Sequence, residues 1–374
     1  MIRNLIALFM LIGLVLPVAA QPASTQPQSL KNAYKDRFVV GAAINLAQIF
    51  AQDDRGTPII AAQFNSITPE NILKWALVHP QPDHYDFAPA DRFVEYGLKH
   101  KMFIVGHCLV WHNQTPKWVF QDEKGNPLTR DTLLKRMHDH IATVVGRYKG
   151  KINSWDVVNE ALNEDGTMRQ TPWLKIIGDD YIEKAFEYAH EADPKAELYY
   201  NDFSLENEPK RNGAIALIKR LQTEGIPIAG VGLQNHDNLE WPTAEQEDST
   251  ISAFEKLGLK VSISELDITV LPSPNKQGTA EVTATAEARQ ALNPYPHGLP
   301  DAVQQQLTKR YSELFGVFAK HSKIERVTFW GVTDGDSWLN DWPVRGRTNY
   351  PLLFDRNGTP KPAFEAVIEA AQNK

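Results

Sequence analysis

From Phe38 onward the chain alternates between short apolar runs and longer segments whose apolar positions recur every three or four residues. The short runs have strand length and strand-type side chains. They predict eight strands, at Phe38–Asn45, Asn65–Thr68, Met102–Trp111, Ile152–Asn159, Glu197–Asp202, Gly230–His236, Lys260–Asp267 and Glu325–Thr333. Helical periodicity falls between and after them, at about Pro58–Gln63, Pro89–His100, Arg130–Tyr148, Asp180–Ala192, Pro209–Glu224, Glu245–Leu257, Pro300–His321 and Pro362–Asn373. Strand followed by helix, eight times over, is the pattern of an α/β protein built as a single (β/α)8 TIM barrel. Near-continuous apolar strands suit a parallel sheet covered on both faces. An open doubly wound sheet is the competing architecture, but no Gly-rich phosphate loop follows any strand and no composition shift divides the chain.

The first residues follow a different pattern. Arg3 precedes an apolar run from Leu5 to Leu16, and Val18-Ala19-Ala20 offers small residues before Gln21. This predicts a secretory signal peptide over residues 1–20. The run is shorter than the ~20 residues a membrane span needs. Residues 21–30, rich in Gln, Pro, Ser and Thr, read as a flexible leader, and 31–374 as the barrel domain. The mature chain is therefore expected to be exported, to a periplasm or beyond the cell, with no membrane association after cleavage. Its single cysteine, Cys108, lies in an apolar run and permits no intramolecular disulfide. A net charge of -7 argues mildly against nucleic acid or anionic lipid as a partner. Nothing in the pattern calls for an oligomer, so a monomer is expected.

Barrels of this kind place their chemistry at the C-terminal ends of the strands. Each predicted strand here ends in polar or aromatic residues: Asn45; Thr68-Pro69-Glu70-Asn71 with Lys74-Trp75; Trp111-His112-Asn113-Gln114; Asn159-Glu160; Asn201-Asp202; Gln234-Asn235-His236; Glu265-Leu266-Asp267; and Trp330 with Asp334 and Ser337-Trp338. An ionised group at the end of an apolar strand is not put there by packing. Glu160 and Glu265 are therefore expected to face each other across one cleft. No His/Cys cluster has metal-ligand spacing, and there is no G-x-S-x-G elbow. Paired carboxylates, amide donors and indoles together suit glycoside hydrolysis, in which acids act on the glycosidic bond and aromatic faces stack on sugar rings.

Those residues, in that order, resemble glycoside hydrolase family 10, the endo-1,4-β-xylanases, from roughly Gly41 to Phe364. The likeness is also carried by Gly106-His107-Cys108-Leu109-Val110-Trp111-His112, by Trp155 to Ala161, by Ser264 to Asp267, by Trp330-Gly331-Val332-Thr333-Asp334 and by Pro351-Leu352-Leu353-Phe354-Asp355. The resemblance implies a retaining double displacement, with Glu160 as general acid/base and Glu265 as nucleophile. It implies that His236 supports the nucleophile and that Asn159 binds the 2-hydroxyl of the reacting sugar. Glu70, Asn71, Lys74, His107, Trp111 and Gln234 would line the glycone subsites, Trp330 and Trp338 would cover the sugars next to the scissile bond, and Gln114 and Asn201 would add supporting contacts. The implied ligands are xylan and xylo-oligosaccharides, with no cofactor needed for the chemistry and no metal ligand among the site residues.

Asp156 and Asp267 are expected to orient neighbouring groups, and Trp75 and Trp155 to pack. Trp118, Trp173, Trp241 and Trp342 fit either role. Two features depart from the family pattern or stand apart from it. Phe203 stands where the family more often has Tyr, which removes a hydroxyl from the leaving-group side. The segment Leu271 to Pro300 is long and rich in Pro, Thr and Ala, and is expected to flank that same side. Two other readings share some of these features. A different barrel β-1,4-glycanase, such as a glucanase, would use the same pair of acids, and a catalytically silent polysaccharide-binding barrel would need neither.

Overall fold

The computed structural model describes residues 29–273 and 291–372. The predicted signal peptide, the leader up to residue 28 and the middle of the 271–300 segment lie outside the described residues. The last two residues of the predicted leader are packed. Ser29 precedes a short helix, Leu30–Ala33, whose Leu30 is buried and donates its backbone N–H to Gln63 Oε1 at 3.1 Å.

Among the described residues nine strands are present: β1 Val39–Ile44, β2 Ser66–Pro69, β3 Phe103–Val110, β4 Ser154–Asn159, β5 Glu197–Asp202, β6 Gly230–Leu233, β7 His236–Asn238, β8 Lys260–Thr269 and β9 Ile324–Phe329. They pair in parallel in chain order, β6 pairs with β8, and β9 returns to β1, so the sheet closes into an eight-stranded barrel with β7 as an outlying piece. Helices at Gly56–Gln63, Ala88–Lys99, Arg130–Arg147, Tyr181–Ala192, Glu208–Thr223, Ala244–Glu255, Asp301–Phe318 and Pro362–Ala370 follow the strands. Local chemistry sets several of their starts. Thr129 and Thr243 accept backbone N–H groups of the first helical turn, and Gln246 returns a bond to Thr243 in a capping box.

The structure corrects the sequence reading at the strand ends. The predicted sixth strand, Gly230–His236, is broken after Leu233. Asn235 has φ +54°, a left-handed conformation that asparagine tolerates better than most residues. The chain then resumes as β7, with His236 in register with Asp267 of β8. The predicted eighth strand stops at Phe329 rather than Thr333, because Gly331 at φ +135° turns the chain. Short helices at Leu46–Ile49, Trp75–Val78 and Pro172–Ile177 occupy connections that the periodicity does not mark.

The N-terminal mouth of the barrel is plugged by paired polar groups. The Lys260 ammonium contacts Glu197 and Glu325, and the Tyr199 hydroxyl donates to Glu325. The buried Arg326 guanidinium lies 5.4 and 5.5 Å from the Phe103 and Tyr199 rings. Farther along the barrel, Trp155 fills the space over Gly106. A Cβ on residue 106 would meet the indole at 2.1 Å. We therefore expect Gly106→Ala to destabilise the fold by about 2 kcal/mol or more through overpacking. The check is the urea midpoint, and an unchanged midpoint would show that the indole can move aside.

Candidate active site

The C-terminal mouth opens into a cleft of about 790 Å³. Of the residues singled out from sequence, Glu70, Asn71, Lys74, His107, Trp111 and Gln114 line one part of it. Asn159, Glu160, Gln234, His236, Glu265, Trp330 and Trp338 line the rest. Asn201 is the exception. It is fully buried behind the wall, and its amide ties the wall together.

Glu160 lies one residue beyond β4, with φ +56°. This conformation is costly for a residue with a Cβ and is held by its backbone N–H donating to Asn201 O at 2.9 Å. The turn brings the carboxylate over the cleft. There Oε1 accepts from Asn159 Nδ2 and Gln234 Nε2, each at 3.2 Å, and Oε2 accepts from Trp111 Nε1 at 2.9 Å. Glu265, within β8, accepts from Asn201 Nδ2 at 2.8 Å. That same amide donates to Asn159 Oδ1 at 2.8 Å, so a chain of three hydrogen bonds joins the two acids.

The electrostatics around Glu265 are directional. His236 Nε2 lies 3.2 Å from its Oε2, and His236 Nδ1 lies 3.0 Å from Asp267 Oδ1. Burial alone would keep the imidazole neutral, but Asp267 and Glu265 push it up to about 10, so the ring is an imidazolium donating both N–H groups near neutral pH. Burial would raise Glu265 as well. The His236 hydrogen bond, with His107 and Lys74 nearby, outweighs it and leaves the carboxyl below its ordinary range. Asp267 also accepts from Trp338 Nε1 at 2.8 Å, which fixes that indole beside His236. Asp156 plays a matching part for His107, at 2.9 Å from its Nδ1.

At the other end, Lys74 Nζ and Gln114 Nε2 donate to Asn71 Oδ1 at 3.1 and 3.2 Å. The ammonium stands 5.0 Å from the Trp111 ring and 5.9 Å from Trp330. Burial pushes the Glu70 carboxyl up, against the pull of Lys74 and Asn71. The cleft is thus built of amides and charges between indole faces.

The tryptophans that fit either role now separate. Trp173 is buried and donates to Trp111 O at 2.9 Å, and Trp118 donates to Pro80 O at 3.0 Å beside the Trp75 ring. These two pack. Trp241 and Trp342 line the cleft, and Trp342 is 59% exposed while stacking on Trp338. Sequence pattern leaves them undecided because both sit in loops, not at strand ends. Phe203 also lines the cleft, and its ring carries the buried Lys210 ammonium 3.4 Å from its centroid. Lys210 pairs with Asp202 at 3.0 Å, whose carboxyl burial pushes up to about 6. The described ends of the 271–300 segment meet the chain near Tyr350: Pro272 O accepts from Arg347 at 3.0 Å, and Tyr295 O accepts from Tyr350 at 2.7 Å.

The family now follows from comparison. The family model for glycosyl hydrolase family 10 matches residues 29–370. The chain belongs to glycosyl hydrolase family 10. Endo-1,4-beta-xylanase A of Xylanibacter ruminicola is 46% identical over 359 residues, covering 96% of this chain and 97% of that protein. A beta-1,4-xylanase of Dictyoglomus thermophilum is 42% identical, covering 91% and 90% of the two chains. Among solved structures, a GH10 endoxylanase from a sugarcane soil metagenome superposes with a TM-score of 0.86 at 46% identity, over 92% of this chain and 99% of that one. As a family 10 enzyme the chain is a glycoside hydrolase with a (β/α)8 barrel.

Sequence also gives no sign of a buried acid cluster behind the Phe203 end of the cleft. Glu206 and Asp237 reach the cleft wall, and Glu247 lies behind them with one oxygen accepting from Asn235 Nδ2 at 3.1 Å. Arg310 stands 3.7 Å from Asp237. Burial raises all three carboxyls, Glu206 to about 7. A carboxyl whose folded value is raised costs stability as pH climbs from its ordinary value, near 4.5, through the folded one. We expect Glu206→Gln to match wild type at pH 4 relative to its own baseline and to gain stability between about pH 4.5 and 7, up to roughly 3 kcal/mol. Thermal melts of both proteins across pH 4–9 test this. A difference that stays constant with pH would contradict it.

Proposed function

We propose that this chain is an exported, retaining endo-1,4-β-xylanase. The observation that carries the mechanism is the pair of acids on one cleft, Glu160 and Glu265, joined through the Asn159 and Asn201 amides. In retaining glycosidases the two carboxyls stand about 5–5.5 Å apart, close enough for direct attack. Glu265, held as a carboxylate by His236, attacks the anomeric carbon as the bond to the leaving oxygen breaks. Glu160 gives its proton to that oxygen. The N–H donors on both Glu160 oxygens then stabilise the carboxylate left behind. In the second half, Glu160 takes a proton from water as that water attacks the anomeric carbon, which releases Glu265. Asn159 stands between the acids, where a 2-hydroxyl contact can tighten in the transition state.

The xylan preference is supported by the xylanase relatives and by the cluster of Glu70, Asn71 and Lys74 beside Trp330 in the cleft. The N-terminal pattern of residues 1–20 supports export, and mass spectrometry of the secreted protein should find Gln21 first. The reaction is tested by following xylohexaose and cellohexaose side by side. Internal cleavage of xylohexaose, with cellohexaose cut at least about tenfold more slowly, is expected. The reverse preference would leave the acid pair standing and make the enzyme a glucanase.

A further inference from the structure

Glu160 works from a left-handed backbone, which a residue with a Cβ keeps only where its surroundings fix it. Besides the Asn201 carbonyl that accepts its N–H, two side chains outside the cleft hold this turn. The first is Arg169. After Ala161 the chain makes a tight antiparallel loop, with Leu162 bridged to Met168 and Asn163 N–H donating to Thr167 O at 2.8 Å. The loop returns Arg169 to the side of the acid. There its backbone N–H donates to Ala161 O at 2.8 Å, its Nε to Glu160 O at 3.2 Å and its Nη2 to Leu162 O at 3.0 Å. One residue thus takes three successive carbonyls, those of Glu160, Ala161 and Leu162. The second is Tyr200, which is fully buried. Its hydroxyl donates to Asp202, itself paired with Lys210 at 3.0 Å, so the oxygen is left to accept Ala161 N–H at 3.2 Å.

We propose that Arg169 and Tyr200 are positioning residues for the acid/base: they clamp the Glu160–Leu162 backbone so that the Glu160 carboxyl stays in line with the leaving oxygen. The inference rests on the proposed double displacement with Glu160 as the acid. Neither side chain lines the cleft, so both act through Glu160 and not on the sugar. Glu265 takes its hydrogen bonds from a different set, Asn201 and His236, so loosening the Glu160 turn leaves the attacking group in place. Proton transfer to the leaving oxygen needs hydrogen-bond reach, and a small displacement of the donor costs rate even when the donor itself is intact. The clamp therefore bears on the half of the chemistry that needs a proton and spares the half that does not.

The test uses the full-length mature enzyme and the variants Arg169→Met and Tyr200→Phe, with Glu160→Ala as the reference. Melting temperatures are measured first. Tyr200→Phe removes a single oxygen, so it keeps the proposal testable should Arg169→Met fail to fold. kcat/KM is then determined on xylohexaose, whose leaving alcohol needs a proton, and on a dinitrophenyl β-xylobioside, whose leaving group does not. On xylohexaose Arg169→Met should lose roughly 10–100-fold and Tyr200→Phe roughly 3–10-fold, a fraction of what removing the acid costs, mostly in kcat. On the dinitrophenyl substrate both should stay within about twofold of wild type. Equal losses on the two substrates would overturn the proposal, because a merely structural role lowers both together. Unchanged cleavage of xylohexaose would overturn it as well. If Glu160→Ala itself loses both substrates equally, the acid/base reading has failed and the proposal goes with it; if only the other two variants do so, the proposal alone falls.

Discussion

Replacing Glu265 with alanine should lower kcat/KM on xylohexaose by about 10⁴-fold or more, the scale expected when the attacking group of a covalent mechanism is removed. The argument is local. Glu265 is buried, ionised and aimed into the cleft by Asn201 and His236, and His236 is itself fixed by Asp267. No other carboxylate among the described residues shares that set of donors. His236 keeps Asp267 as a counter-ion after the change, so the barrel should fold, and xylotriose should still bind. Steady-state rates beside calorimetric binding separate the two effects. Activity within tenfold of wild type would show that Glu265 is not the attacking group.

Glu160→Ala should behave differently on different substrates. On xylo-oligosaccharides, whose leaving alcohol needs a proton, the loss should be about 10²–10⁴-fold, the usual contribution of a positioned general acid. On a dinitrophenyl β-xylobioside the leaving group departs without one, so the first step should stay close to wild type. The second step then lacks its base and limits turnover. Azide, which attacks without giving up a proton, should restore turnover and yield a β-glycosyl azide. Equal losses on both substrates, with no response to azide, would remove Glu160 from the acid/base role.

The barrel is legible in this sequence because parallel strands buried on both faces carry apolar side chains on both faces, continuously in β1 and interrupted by polar residues in β4, β5 and β8. The polar strand ends are legible for the converse reason: packing does not explain Glu160, Glu265 or His236. The path of the chain past those ends is harder to read. Glu160 and Asn235 both adopt left-handed backbones that no periodicity marks, and these turns aim Glu160 into the cleft and carry His236 onto the edge of β8. Trp241 and Trp342 reach the cleft from loops, where composition gives no direction. The acid cluster of Glu206, Asp237 and Glu247 assembles from three separate segments, so only the closed fold brings it together. Asn201 reads as a supporting residue, and only the fold shows how it is placed: buried behind the wall, with an amide that reaches both Glu265 and Asn159.

The central claim is that Glu265 forms the covalent intermediate while Glu160 assists. The most direct measurement incubates the enzyme with a 2-deoxy-2-fluoro-β-xylobioside carrying a good leaving group and locates the label by peptide mass spectrometry. The fluorine destabilises the transition state for hydrolysis, so the intermediate should accumulate, one fluoroxylobiosyl unit per chain, on the peptide containing Glu265. Label on any other residue, or steady turnover of ordinary substrate with α-configured products and no label, would contradict the account.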